Sequence, residues 1–404
     1  MRKISCFGYG ITTKAIAKKF GPCTFYDDNV TKPFKDEFGN YLKPVSEFDA
    51  RYSSLEIPSP GMPPYHPLIK EAKNLLSEYD FFEKDMPYSI WITGTNGKTT
   101  TTQMIEHLLK DRGAQAGGNI GTPLAELDTN TPIWILETSS FTLHYTHFAK
   151  PDIYVVLPIS PDHLDWHGGF EAYESDKLKP LALMREGEAV ILPRKYAHIQ
   201  TNGFKILYDD AKDLASYFGF DTDKIDFKGA FLLDAVIAMG INKILFDLED
   251  YKKMNSFKMD PHRQEELFDT QNRLWVNDTK ATNIDATLQA LKVYADREIH
   301  LILGGDDKGV DLRALFQNLK ELHVTLYLIG TNQERTSALA DEFKISYLTC
   351  KSLKDAVKDI DKVHTQKSVA LLSPAASSLD QFKSYAIRGE TFKAEVKKLE
   401  LPLS

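Results

Sequence analysis

The segment with the clearest chemical purpose is Gly94-Thr95-Asn96-Gly97-Lys98-Thr99-Thr100. Glycines at this spacing let backbone N–H groups close around phosphate oxygens. A lysine then supplies charge to the β- and γ-phosphates, and the following hydroxyl can ligate Mg²⁺. The stretch follows a buried-strand pattern, Ser89 to Thr93, and precedes apolar residues at helical spacing, Met104, Ile105, Leu108 and Leu109. That order predicts nucleotide binding by residues 94 to 100. Ile92 stands where a strict Walker motif has its first glycine, so the loop is a shortened form. A Mg²⁺-bound triphosphate needs further ligands. Glu137 ends the strand pattern Ile133 to Leu136, and Asp162-His163-Leu164-Asp165-Trp166-His167 follows the one ending at Ile159. In a parallel sheet both ends reach the rim that carries the phosphate loop. Glu137 and His163 are expected at the metal. Asp162 can instead cap a helix, and His167 stays open between ligand and core residue. Lys177 reads by itself as a solvated helix lysine.

These residues need elements to hold them, and the chain supplies three successive α/β patterns. The first runs from Ile4–Phe7 through Gly8-Tyr9-Gly10-Ile11-Thr12, a helical stretch and a strand, Thr24 to Tyr26, to the acid pair Asp27-Asp28. This is a Rossmann-like opening, with Thr13 where a third glycine or alanine belongs; a plain strand-to-helix turn is the competing reading. Ser59-Pro60-Gly61 marks a rigid loop at a strand's carboxyl end. The pattern restarts near Met86-Pro87 and again near Asp260-Pro261, after which strands at Leu274, Ile299, Leu326 and Val369 alternate with helical stretches. We expect an α/β protein of three domains: a Rossmann-like 1–86, a central P-loop sheet over 87–260, and a doubly wound C-terminal 261–404.

Composition narrows the class. The 404 residues carry 49 Lys plus Arg against 57 Asp plus Glu, a net charge of −8. That balance gives no reason to expect nucleic acid or an anionic membrane as partner. No apolar run approaches the ~20 residues of a membrane span. The opening residues reach glycines too soon for a signal-peptide core, and three scattered cysteines form neither a disulfide framework nor a zinc motif. A cytoplasmic enzyme is the expectation.

Taken in order, the G-T-N-G-K-T-T loop, Glu137-Thr138-Ser139-Ser140-Phe141 and the D-H-L-D-W-H segment before Lys177 resemble the Mur ligases of peptidoglycan synthesis. The likeness extends from Gly8–Thr12 through Ser59–Gly61, Gly118–Gly121, Pro261-His262-Arg263, Asn277–Asn283 and Leu303–Gly309 to Leu372–Phe382. It implies a monomeric ATP-dependent, ADP-forming ligase that joins D-glutamate to UDP-N-acetylmuramoyl-L-alanine. It also implies two Mg²⁺ and a CO₂-derived carbamate on Lys177. By resemblance, Gly10, Ile11, Thr12, Asp27, Asp28, Ser59, Gly61 and Asn119 hold the UDP substrate. Lys98, Glu137, His163 and Lys177 are catalytic, and Thr99, Glu137, His163 and carbamylated Lys177 serve the metal. Arg263 and Asp278 contact the nucleotide, while Lys280, Thr282, Lys308, Ser378 and Tyr385 face D-glutamate.

The chain departs from the family pattern in three places. The segment Gly229–Ala235 replaces the usual adenine-contacting H-N-x-x-N, Tyr385 replaces a common Phe, and loops between Leu192 and Phe257 are short. Other readings are a Mur-type ligase for a different amino acid, a folylpolyglutamate synthase, and an inactive nucleotide-binding regulator. The absence of a D-N-P-R motif argues against a diaminopimelate- or lysine-adding ligase. The missing third glycine, with a P-loop domain following, argues against a dehydrogenase.

Overall fold

The computed structural model describes residues 3–119 and 121–399; Ile120 of the Gly118–Gly121 segment lies outside them. It is an α/β protein with three mostly parallel sheets. The first contains β1 (Ile4–Phe7), β2 (Thr24–Tyr26), β3 (Phe34–Lys35), β4 (Tyr41–Lys43) and β5 (Leu55–Pro58), in the order β3-β4-β2-β1-β5. Only the β3–β4 pair is antiparallel.

The second sheet contains β6 (Tyr88–Thr93), β7 (Ala114–Gly118), β8 (Ile133–Glu137), β9 (Ile153–Val156), β10 (Ala189–Pro193) and β11 (Phe204–Tyr208), ordered β11-β10-β9-β6-β8-β7. All its pairings are parallel. Strands covered on both faces read as continuous apolar runs, and Ile133, Trp134, Ile135 and Leu136 are all buried. Because β6 lies between β8 and β9, the loop that leaves β6 is flanked by the ends of both. Glu137 ends β8, and the segment carrying His163 follows β9.

The third sheet contains β12 (Glu265–Phe268), β13 (Leu274–Asn277), β14 (Glu298–Gly304), β15 (Val324–Ile329), β16 (Ser346–Thr349) and β17 (Ser368–Leu372), in the order β12-β13-β17-β14-β15-β16. Only the edge strand β12 is antiparallel. Alternate residues of β14 feed two cores: Leu301 and Leu303 join Phe316, whereas Ile302 joins Tyr327 and Phe392.

The chain forms two compact units, one ending at Phe257 and the other beginning at Lys258. Within the first, Ile16, Leu55, Ile57 and Phe82 share an apolar cluster with Trp91, Trp134, Leu136 and Tyr154, so its two sheets have a common core. Among the described residues, no helix is long and apolar enough to cross a membrane.

Candidate active site

The phosphate loop turns on two glycines whose backbones other residues do not readily adopt. Gly94 has φ +144°, and a Cβ there would lie 2.5 Å from Leu157 Cβ. Gly97 has φ +85° and caps the helix Lys98–Leu109. The N-terminal turn of that helix offers amides and a partial positive charge to an anion. Lys98 folds back over the loop, its Nζ donating to Gly94 O (3.0 Å) and Thr95 O (2.8 Å). Thr99 Oγ1 donates to Glu137 Oε2 at 2.8 Å, and Asn119 Nδ2 donates to Glu137 Oε1 at 2.8 Å. Both oxygens of this buried carboxylate are thus engaged by residues expected at the metal and the acceptor. Thr95 Oγ1 lies 3.0 Å from the Tyr173 hydroxyl and donates to Ser160 O at 2.9 Å, tying the loop to the segment after β9. Asn96 stands half-buried in the loop, and Thr100 is buried on the helix's inner side.

Lys177 overturns the solvated reading. It is 1% exposed, and its Nζ donates to Gly94 O at 2.8 Å, so two lysines converge on one carbonyl. Its helix, Phe170–Leu178, turns Tyr173 and Lys177, four residues apart, toward the phosphate loop. Burial, reinforced by the charge of Lys98, holds the amine well below the usual lysine range, against Asp162, Asp176 and Glu137. No carboxylate among the described residues forms an ion pair with it. A neutral amine is a nucleophile, and an ammonium is not.

His163 adopts the left-handed conformation, φ +51°, just before the short helix Leu164–His167. Its ring meets Phe141 edge-on at 4.7 Å between centroids, and its Nε2 lies 3.6 Å from Asp162 Oδ2. The side chain is half-exposed. Behind it, the Nδ1 atoms of His144 and His167 face the same Asp176 Oδ2 at 2.9 and 2.8 Å, and His167 Nε2 meets Ser140 Oγ at 3.0 Å. These three side chains have the composition of a metal site. Their spacing is that of hydrogen bonds, below the roughly 3.3 Å between ligand atoms that tetrahedral zinc distances require. The cluster is a clamp that locks His167 into the core and joins the helices bearing His144, His167 and Asp176.

In the N-terminal sheet, Asp27 Oδ2 accepts the Tyr9 N–H at 2.7 Å, which binds the glycine turn to the acid after β2. Thr13 Oγ1 donates to Gly8 O at 2.7 Å, so a hydroxyl closes the turn where the dinucleotide pattern has a small residue. Asp28 pairs with His66 at 3.2 Å. Ile11 is 74% exposed beside half-buried Thr12, and Ser59 touches the turn closely enough that a Cβ on Gly10 would lie 3.1 Å from its Oγ. Gly61 O accepts from Trp166 Nε1 at 3.1 Å and Met62 O accepts from the Tyr145 hydroxyl at 2.7 Å. The Ser59–Gly61 loop is therefore fastened to the elements that hold His163.

The second unit places the remaining candidates on its own strand ends. Asp278, just past β13, is buried; its Oδ2 accepts from Ser373 Oγ at 2.8 Å and its Oδ1 from the Gln264 N–H at 3.2 Å. Burial pushes its carboxyl up to about 7. Arg263 Nε is buried without a hydrogen-bond partner among the described residues. Lys280 Nζ lies 5.7 Å from the centre of the Tyr385 ring, which joins two candidates. Thr282 and Lys308 are exposed and Ser378 is buried.

Four contributors escaped the sequence reading. Tyr173 supports the loop, Tyr79 donates to Glu137 O at 3.3 Å, and Phe141 carries the His163 ring. Asp234, inside the segment that replaces H-N-x-x-N, accepts from Thr101 Oγ1 at 2.8 Å and would meet a Gly97 Cβ at 2.9 Å. That segment grips the phosphate loop from the helix Ala230–Phe246. The i, i+4 spacing of Tyr173 and Lys177 was the one signal available beforehand.

Residues 92–230 match the Mur ligase middle domain, and residues 262–376 match the Mur ligase glutamate ligase domain. The UDP-N-acetylmuramoylalanine–D-glutamate ligase of Campylobacter jejuni subsp. jejuni serotype O:6 is 57% identical over 401 residues, covering 98% of this chain and 100% of that protein. The chain belongs to the Mur ligase family. The enzyme of the same name from Helicobacter pylori strain J99 is 46% identical over 420 residues, with 98% and 100% coverage. Mur ligase architecture also recurs in distant solved structures. MurF from Thermotoga maritima, crystallised with ADP, superposes with TM-score 0.60 at 15% identity over 98% of both chains. MurF from Acinetobacter baumannii gives 0.61 at 16% identity over 97% of this chain and 93% of that one. The middle-domain match spans the loop, Glu137, His163 and Lys177; the glutamate-ligase match spans Arg263 to Lys308 and stops short of Ser378 and Tyr385.

Proposed function

We propose that this Mur ligase joins D-glutamate to UDP-N-acetylmuramoyl-L-alanine, converting ATP to ADP and phosphate, as a cytoplasmic monomer. The observation that carries the chemistry is the meeting of Lys98 and a buried Lys177 on Gly94 O beside the Thr99–Glu137–Asn119 chain. The substrate identity rests on the full-length likeness to enzymes that bear this activity in their names. In this reading 1–86 holds the UDP end, 87–260 the ATP and 261–404 the amino acid.

A carboxylate cannot expel oxide, so it must first be activated. The acceptor's L-alanyl carboxylate attacks the γ-phosphorus of ATP, which forms an acyl phosphate and releases ADP. The D-glutamate amine then attacks the acyl carbon, loses a proton, and phosphate leaves. Lys98 and the loop amides bind and orient the phosphoryl oxygens as charge redistributes. The donors at the loop suit Mg²⁺: a hydroxyl from Thr99, a carboxylate from Glu137, an imidazole from His163 and a carbamate on Lys177 would hold it. When bound, two such ions supply charge neutralisation at the phosphates. The neutral Lys177 amine adds to CO₂ and loses a proton, giving a carbamate, an anion where the sequence wrote a cation. Tyr173 and Asp234 hold the loop in shape. Asp27 secures the turn that presents Thr12 to the UDP end, while Asp28 and Ser59 line the same edge.

ADP release with ATP, acceptor and D-glutamate present tests the reading. Lys98→Ala is expected to abolish it, and the wild-type product is expected to contain one D-glutamate. An unimpaired Lys98→Ala rate refutes the loop's role, and a different amino acid in the product refutes the substrate assignment.

A further inference from the structure

Three loops leave the carboxyl ends of neighbouring strands in the second unit's sheet. The loop after β14 carries Lys308 and the loop after β17 carries Ser378, both assigned above to D-glutamate. The turn after β15 together with the first turn of the helix Gln333–Phe343, residues Gly330 to Arg335, carries no assigned residue, yet it touches both. Asn332 Oδ1 accepts the Gly305 N–H at 3.1 Å, and its Nδ2 donates to Asp307 Oδ2 at 2.8 Å. Asp307 Oδ1 accepts the Gly309 N–H at 3.0 Å and Arg335 Nη1 at 2.8 Å, while Arg335 Nη2 donates to Val310 O at 2.7 Å. Both sides of Lys308 are thereby held from the neighbouring turn. On the other side, the Thr331 N–H donates to Asp380 Oδ2 at 2.9 Å, two residues beyond Ser378.

The contact leaves no slack. A Cβ on Gly330 would lie 2.4 Å from Gly305 Cα, and one on Gly305 would lie 2.2 Å from Ser377 O. Asp306 and Ser377 exchange backbone hydrogen bonds of 3.0 and 2.8 Å. Lys308 itself has φ +52°, a conformation that a non-glycine residue keeps when its surroundings impose it.

We propose that the Gly330–Arg335 turn determines amino-acid specificity: by holding Asp307 and Asp380 it fixes the separation of Lys308 from Ser378, and so the length of the dicarboxylic amino acid accepted. Asn332 and Arg335 are positioning residues in this scheme. It rests on the D-glutamate reading, in which those two loops grip the substrate's carboxylates. D-aspartate is one methylene shorter, a difference that a rigid site discriminates by roughly 10- to 200-fold and a loosened one does not. Arg335 is the lever of choice because its side chain is 45% exposed while Asp307 is buried, so truncation releases the loop without opening the core.

The test compares kcat/KM for D-glutamate and D-aspartate in the full-length wild type, Arg335→Met and Arg335→Lys. In Arg335→Met the D-glutamate KM is expected to rise about tenfold and the preference over D-aspartate to fall by a similar factor. The KM values for ATP and the UDP acceptor should stay unchanged, and Arg335→Lys should recover part of the preference. An equal loss for both amino acids, or an unchanged ratio in Arg335→Met, overturns the proposal. A wild type that ignores D-glutamate but ligates another amino acid overturns the parent reading instead.

Discussion

Lys177 gives the sharpest test of the chemistry. An exposed lysine with the ordinary pKa of 10.5 is only about 0.1% neutral at pH 7.5, and CO₂ adds only to that neutral fraction. Reaching the reactive form then costs about three pH units, or roughly 4 kcal/mol. Lys177 is 1% exposed, faces Lys98, and has the carbonyl of Gly94 and the hydroxyl of Thr93 as its neighbours. Burial and the charge of Lys98 both lower that cost. With ¹³C-labelled bicarbonate at pH 7.5, the wild type is expected to show one carbamate carbon resonance per chain, absent in Lys177→Ala. Ligation should slow in CO₂-depleted buffer and recover on adding bicarbonate. Lys177→Ala is expected to lose on the order of 100-fold in rate, the usual consequence of removing support for a metal. Added short carboxylic acids should restore part of it by placing an anion in the vacated space. A wild type with no carbamate resonance and full activity without CO₂ would refute the reasoning, as would a fully active Lys177→Ala.

Gly97→Ala forces a side chain into φ +85° against Asp234 and Leu157, a strain of about 1–2 kcal/mol before any overlap. The loop relieves it by rotating its amides away from the phosphates, so calorimetry should show ADP affinity lowered about tenfold; unchanged affinity would contradict the cradle. His364, buried between Ser368 Oγ (2.7 Å) and Leu274 O (3.0 Å), is held down to about 4 by burial and by the charges of His300 and Arg273. Its unfolded pKa is near 6.5, so between those values the unfolded chain binds more protons. Stability contributed by this group is complete above pH 6.5 and is lost as the pH falls toward 4, roughly 3 kcal/mol in all. Urea midpoints of wild type and His364→Gln should therefore converge on acidification; parallel pH profiles would exclude the assignment.

How much could be read from the chain alone follows from the range of each interaction. The phosphate loop, its strand and its helix were legible because glycine freedom, helix periodicity and apolar runs are local properties. Glu137 and His163 were legible because parallel strands deliver their carboxyl ends to one rim, a rule that needs no coordinates. The β7 and β11 strands were not anticipated, since Ala114–Gly118 is glycine-rich and Phe204–Tyr208 is interrupted by Lys205 and leaves Phe204 exposed; their pairing with β8 and β10 defines them.

Lys177 shows where local reading stops. Its sequence neighbourhood, Tyr173-Glu174-Ser175-Asp176-Lys177, is polar, and only the packing of that helix against the end of β6 removes the amine from water. Asp234 is the same case in reverse: a segment that looks like lost adenine chemistry contains a carboxylate turned onto Thr101, 133 residues away in the helix that leaves the phosphate loop. The residues, their types and the strand ends that carry them were determined by the sequence. Which of those groups are charged, and which neighbour holds each one still, was decided by the tertiary structure, because burial and hydrogen bonding between distant segments set both.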